Sequence, residues 1–373
     1  MRAIGIILAG GNSSRMQELT RKRATAALPI AGGYRSIDFA LSSMSNSHIN
    51  KVAVFTQYNS KSLTQHLNSS KWWDFGRKQG GLFVFTPTQT HDNNYWYRGT
   101  ADAIAQNIEF LKTSHEPYVI IASGDCVYKM DMNKLLEYHI EKNADITIVT
   151  KDLGEWDDPS RFGVVSVDGN GLVTEFEEKP IVTSKTLVST GIYVIRRRQL
   201  IDMIERAGEE EGFDLVKDIF IRYKGLKKIY AYNMNSYWSN IATVDSYFRT
   251  NMDFLERETR QYFFNENPQV ASKIEDLPPA KYNVGSSVKN SLIASGCIIN
   301  GEVTDSLLFK EVYVGNNCTI RNSIILNDVY IGDNTYIENC IVESHDTIRA
   351  NSNYVGDPEN IKIILEKNER YVL

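Results

Sequence analysis

The sequence predicts an α/β fold with a mostly parallel sheet, followed by a left-handed parallel β-helix, and three observations carry this. From Ala3 to about residue 260, short apolar runs alternate with amphipathic stretches at the pitch of a sheet covered on both faces. Beyond Tyr282 the texture changes to apolar doublets every five or six residues, as in Val312-Tyr313-Val314, Cys318-Thr319-Ile320 and Ser323-Ile324-Ile325. That is the spacing of hexapeptide coils stacking their apolar edges. Between the two textures lies a proline-bearing stretch with Pro268, Pro278 and Pro279. The expected organisation is therefore a first domain over 1–262, a linker over 263–283 and a solenoid over 284–373.

The totals bound the rest. A chain of 373 residues is too long for one ordinary core, which agrees with two domains. With a net charge of −5 it lacks the basic excess that a nucleic-acid partner requires. No apolar run approaches the ~20 residues that span a bilayer, and Met1-Arg2 leads straight into a strand instead of a signal peptide. A cytoplasmic protein without a membrane partner is expected. Cys126, Cys297, Cys318 and Cys340 show no CxxC spacing, so they read as reduced, buried thiols.

Element by element, Ile4 to Ala9 is the apolar run of a strand buried on both faces, and it empties into Gly10-Gly11-Asn12-Ser13-Ser14-Arg15. A helix is expected from Ile37, strands over 51–55 and 82–86, and a helix over 60–67 between them. Asn94 to Ala103 leads into a helix reaching Lys112, and 118–123 is a further all-apolar strand stopping at Gly124-Asp125. Strands follow over 146–150, 163–167, 173–176 and 187–195, then a helix near Arg197, a helical 214–223, a strand over 228–234 and a long helix over 244–258. Ligands of such sheets gather beyond the carboxyl ends of the strands, where the glycine loop, Gln57, Thr100 and Asp125 all fall.

These positions suit one chemistry. Small residues at 10–14 let backbone N–H groups approach a triphosphate, and Arg15 supplies a planar cationic fork, although two glycines also serve an ordinary strand-to-helix turn. Asp125 after an apolar strand can hold Mg²⁺, and Lys179 in Glu177-Glu178-Lys179-Pro180 can meet a second phosphate. Together they suggest nucleotidyl transfer from a nucleoside triphosphate to a sugar phosphate. Catalysis of that reaction comes from positioning and from cations that neutralise developing charge.

At this point the chain resembles the ADP-glucose pyrophosphorylase (glucose-1-phosphate adenylyltransferase) family over nearly its whole length. The resemblance is carried by LAGGNSSRMQELTRKRA, YRSIDFALSSMSNS, TQYNSKSLTQH, WYRGTADAIAQN, SGDCVYKMD, FEEKP, STGIYVI and the hexapeptide tail. It implies a Rossmann-like, GT-A-like nucleotidyltransferase domain ahead of the β-helix, tetrameric assembly, and synthesis of ADP-glucose from ATP and glucose 1-phosphate. It also implies that Asp125 is the Mg²⁺-binding aspartate and that Glu178, Lys179 and Ser189 form the sugar-phosphate pocket. Gly10, Gly11, Gln57, Tyr97, Gly99 and Thr100 would line the nucleotide side, with Arg15 among the catalytic residues. Basic effector residues in the family make Lys22, Arg35 and Lys51 candidates.

The departures from the family pattern cluster at the reaction centre. Ser13 stands where the loop has its third glycine, and Thr25 in Arg23-Ala24-Thr25-Ala26 stands where a lysine reaches the phosphates. Trp238-Ser239-Asn240-Ile241-Ala242-Thr243 carries Asn240 in place of the second metal-binding aspartate. Loss of one charge aimed at the transition state costs about 3 kcal/mol. The resemblance is therefore closest to the GlgD-type, non-catalytic subunit, which joins a catalytic subunit and raises its output, with Mg²⁺ needed only if activity is retained. The alternatives are an active adenylyltransferase using one carboxylate, and a pure metabolite-binding module.

Overall fold

The computed structural model describes residues 2–11, 14–76, 80–90, 94–154 and 158–366. They form two compact units, one of Met1–Gly11, Ala40–Ser60 and Leu67–Trp238, the other of Asn12–Phe39, Lys61–His66 and Ser239–Leu373.

The first unit is built on a nine-stranded sheet. Its strands are β1 (Ala3–Leu8), β2 (Lys51–Phe55), β3 (Gly81–Phe85), β4 (Tyr118–Ser123), β5 (Ile146–Asp152), β6 (Gly163–Val167), β7 (Val173–Glu178), β8 (Leu187–Arg196) and β9 (Ile229–Asn233). The path runs β7-β6-β8-β4-β1-β2-β3, with β5 beside β8 and β9 beside β5. β1 is central because Ile4, Ile6 and Ile7 leave it fully buried, as its unbroken apolar run requires. The neighbourhood of β1 is parallel, and β8 enters antiparallel to β4, β5 and β6. That reversal separates the parallel half from the β6–β7 hairpin.

Helices α1 (Ser36–Asn46), α2 (Ser60–Leu67), α3 (Thr100–Ala105), α4 (Ile108–Lys112), α5 (Met132–Glu141) and α6 (Arg197–Glu209) lie between these strands in the chain. α6 shows the helical stripe plainly, burying Leu200, Ile201, Met203, Ile204 and Ala207. The segment expected as a helix over 214–223 is a π-helical turn, Leu215–Ile221, whose first N–H groups at Val216 and Lys217 are capped by the Asp214 carboxylate at 2.9 and 2.8 Å.

The second unit contains α7 (Val244–Met252), capped by Thr243 and Ser246 in a reciprocal box. The single helix expected over 244–258 does not persist. After Met252 come a 3₁₀ turn, Asp253–Leu255, and a short helix, Arg257–Arg260, because Phe254 turns inward against Phe263 at 5.4 Å and Phe39 at 6.2 Å. Arg260 then donates to the carbonyls of Phe254 and Leu255 at 2.7 and 2.6 Å, satisfying groups the broken helix leaves open.

From Lys281 the chain winds into three parallel five-stranded sheets, the three-sided, left-handed β-helix of the hexapeptide pattern. Val303, Val314, Ile320, Ile331, Ile337 and Ile348 fill its interior completely. Left-handed backbone at the corners falls to Asn, Asp and a few others, for example Asn317, Asn334 and Asn351 at φ of 54°, 59° and 62°. These stack seventeen residues apart, and amide bonds of 3.2 and 3.1 Å join them from coil to coil. All four cysteines are buried thiols, outside any disulfide.

Candidate functional site

Three strands of the first unit end level. Leu8 on β1 stands in register with Phe55 on β2 and with Ser123 on β4, so Gly10, Gln57 and Asp125 each follow two residues beyond the same edge. This is the carboxyl edge of a parallel sheet, where ligands of such folds bind.

Gln57 is committed to the chain opposite it. Its Nε2 donates to the Tyr97 carbonyl at 3.1 Å, and the Tyr97 N–H donates to its Oε1 at 3.0 Å. The Tyr97 ring is buried edge-on to Phe55, its hydroxyl accepts from Asn107 at 3.0 Å, and burial raises its pKa. Tyr97 thus serves the edge through its backbone. Gly99 answers to packing, since a Cβ there would lie 2.3 Å from the Phe213 carbonyl oxygen. Thr100 opens α3 and accepts the Leu215 N–H at 2.8 Å.

Asp125 is held at one oxygen. Its Oδ1 accepts from the Ser123 hydroxyl in a short bond and faces Cys126 Sγ at 3.7 Å. Ser189 lies 2.9 Å from the Tyr193 hydroxyl across a bulge in β8 that Gly191 makes possible at φ of 77°. A Cβ on Gly191 would stand 3.2 Å from Ser123 Cβ, so the Asp125 and Ser189 clusters meet there. Glu178 pairs with Gly163, next to Val164, which pairs with Val188, so Glu178 and Lys179 reach the same end of the sheet as Ser189. Lys179 adopts φ of 48° while its exposed ammonium rests 3.0 Å from Glu178. A lysine in left-handed backbone carries strain of about 1 kcal/mol or more, and such strain gathers at ligand sites.

In the second unit, Arg15 is exposed in the first of two short 3₁₀ turns that span Ser14–Thr20 with a kink at Gln17, and Thr25 is buried at the start of the turn Thr25–Ala27. Asn240 Oδ1 accepts the Ala242 N–H at 3.0 Å, a local turn that leads the chain to the Thr243 cap. Ser13 lies outside the described residues. Of the effector candidates, Lys51 is absorbed by the first unit, donating to Ser114 at 2.6 Å and lying 4.8 Å from the Phe110 ring centre. Lys22 is exposed. Arg35 donates to the Ser62 carbonyl and hydroxyl at 3.1 and 2.9 Å, its pKa lowered by burial, and lines a cavity of about 270 Å³ with His66, Lys273, Lys310, Glu311 and His345.

Sequence reasoning did not single out Ser123, Gly191 or Tyr193 as parts of the site. A glycine inside an otherwise apolar strand was the available signal for the bulge. No local pattern announces that Ser123 turns toward Asp125.

The chain matches the model of the "Nucleotidyl transferase" family over residues 4–257 and that of the "GlmU-like, C-terminal hexapeptide" over 278–361. It is 37% identical to the glucose-1-phosphate adenylyltransferase of Clostridium novyi over 321 residues, covering 85% of this chain and 84% of that one. The chain belongs to the glucose-1-phosphate adenylyltransferase family. Within that family it is likewise similar to the Clostridium acetobutylicum enzyme, at 39% identity over 85% of this chain and 84% of the relative. Against the Bacillus subtilis enzyme the identity is 36%, over 86% and 84%.

Membership in the family raises the question of magnesium. Hard Mg²⁺ favours carboxylate and phosphate oxygen in octahedral geometry. In the first unit Asp125 offers a carboxylate; in the second, Asn240, where the resemblance leads one to expect an aspartate, offers a neutral amide. Among the described residues, no three His, Cys, Asp or Glu side chains cluster as a metal cage.

Proposed function

We propose that this chain is a regulatory, catalytically impaired subunit of ADP-glucose pyrophosphorylase, of GlgD type. It assembles in the cytoplasm with a catalytic subunit, as a heterotetramer, and raises that subunit's output of ADP-glucose for glycogen synthesis. The observation that carries this is Asn240, a neutral amide engaged with its own backbone, at the position where the resemblance implies the second metal-binding aspartate. Thr25 supports it, since this buried residue carries a neutral hydroxyl where the resemblance implies a lysine that reaches the phosphates. The edge formed by Gly10, Gln57, Asp125, Glu178, Lys179 and Ser189 keeps the polar groups that ATP and glucose 1-phosphate would meet, so ligand binding can outlast catalysis.

The test is ADP-glucose formation by this chain, by a catalytic subunit and by their mixture, each with Mg-ATP and glucose 1-phosphate. Low turnover alone and a mixture exceeding the catalytic subunit are expected. Brisk turnover by the isolated chain, or a mixture that gains nothing, would refute the reading.

A second reading, an adenylyltransferase active in its own right, is favoured by the name its relatives carry and by the retained Asp125. It requires that the isolated protein turn over and that Asp125→Asn abolish that turnover.

A further inference from the structure

The second unit holds a buried ion pair that the reaction chemistry leaves unused. Arg23 and Glu343 lie 320 residues apart in sequence, yet Arg23 Nη2 donates to Glu343 Oε1 in a short bond, with side chains only 13% and 7% exposed. Arg23 Nη1 also reaches Ser344 Oγ at 3.2 Å, and the Ser344 N–H donates back to Glu343 Oε1 at 2.7 Å. Glu343 Oε2 is buried without a hydrogen-bond partner among the described residues. The carboxylate therefore depends on Arg23, and removing one partner of such a pair leaves an uncompensated buried charge.

The pair does not act alone on this segment. Six residues beyond Arg23 the Pro29 carbonyl accepts from Tyr247 at 2.7 Å, and the Ala31 N–H donates to Asn251 Oδ1 at 3.0 Å. Tyr247 and Asn251 sit on α7, whose cap Thr243 stands three residues after Asn240. Residues 23–31 are thus tied at one end to a solenoid coil and at the other to α7, and Thr25 lies between the ties.

We propose that Arg23 and Glu343 are a positioning pair, a latch by which the solenoid coil at 340–344 sets the seating of the Thr25 segment and of the helix that follows Asn240. This rests on the functional reading above, in which residues 25 and 240 belong to the impaired reaction chemistry and the chain assembles with a catalytic subunit. It gives that reading a route: an event on the solenoid is felt at both positions through one buried pair and two hydrogen bonds.

Hydrogen exchange on the isolated full-length chain tests the latch. In Arg23→Met, the Ala27, Leu28 and Ala31 amides, bonded at 2.9, 3.0 and 3.0 Å, are expected to exchange about a hundredfold faster, while solenoid amides such as Val314 keep their protection. Arg23→Met with Glu343→Met, which replaces the pair by apolar side chains, is expected to restore most of the protection. Unchanged exchange at 27–31, or a uniform loss across the second unit, would overturn the proposal. Mixing the Arg23→Met chain with the catalytic subunit should give an assembly of unchanged mass whose output is no longer raised; full stimulation would also overturn it. If the unaltered chain fails to assemble, the functional reading falls, and the exchange pattern still decides the latch.

Discussion

At Asn240 the difference between an amide and a carboxylate is one charge on nearly the same shape. The backbone turn it makes with Ala242 survives either residue, because both side chains accept the same N–H. Restoring the charge therefore should not disturb the fold. The combined change Ser13→Gly, Thr25→Lys and Asn240→Asp is expected to raise ADP-glucose formation by the isolated chain at least tenfold, and Asn240→Asp alone to leave the melting temperature unchanged. Continued silence in a coupled assay would place the loss elsewhere in the site. Ser123 permits a subtler test: Ser123→Ala frees Asp125 Oδ1 and should change Mg-ATP affinity measured by calorimetry without lowering stability by more than about 1 kcal/mol.

Helix α5 and strand β5 enclose a histidine that gives the first unit a pH dependence. His139 Nδ1 lies 2.8 Å from Thr147 Oγ1, and its Nε2 is buried without a partner among the described residues. Burial, aided by the Arg196 charge, lowers its pKa from 6.5 to about 4. Folding thus favours the neutral ring. The contribution is fully present above pH 6.5 and is lost as pH falls toward 4, about 3 kcal/mol in all. Urea titrations between pH 7 and 4 should show this decline, and His139→Gln should flatten it. In the solenoid, Ile331 is fully buried between coils, and Ile331→Ala should cost about 2–5 kcal/mol in the same measurement.

For the whole molecule, the proposed heterotetramer is a claim about mass. Native mass measurement of this chain with a catalytic subunit should show a mixed species at micromolar concentration, and two separate homo-oligomers would contradict it. No helix among the described residues is long and apolar enough to cross a membrane. What could be read from the chain differs between its halves. The solenoid was legible almost coil by coil, because each doublet such as Val314 or Ile331 repeats one local instruction. In the sheet unit the strands were legible and α5 was not singled out. The long helix over 244–258 failed because burying Phe254 against Phe263 and Phe39 outweighs continuing the helix.

Local rules of pattern, which need no distant partner, let the sequence alone determine the two fold classes, while its resemblance pointed to the family and to Ser13, Thr25 and Asn240 as departures from it. Tertiary structure decided which contacts these residues make: the Tyr97 backbone bonds Gln57, Lys51 belongs to an aromatic edge, Ser123 holds Asp125, and Arg23 meets Glu343. Such facts depend on contacts between residues dozens to hundreds of positions apart, and burial, which sets the strength of each contact, exists only once the chain has folded.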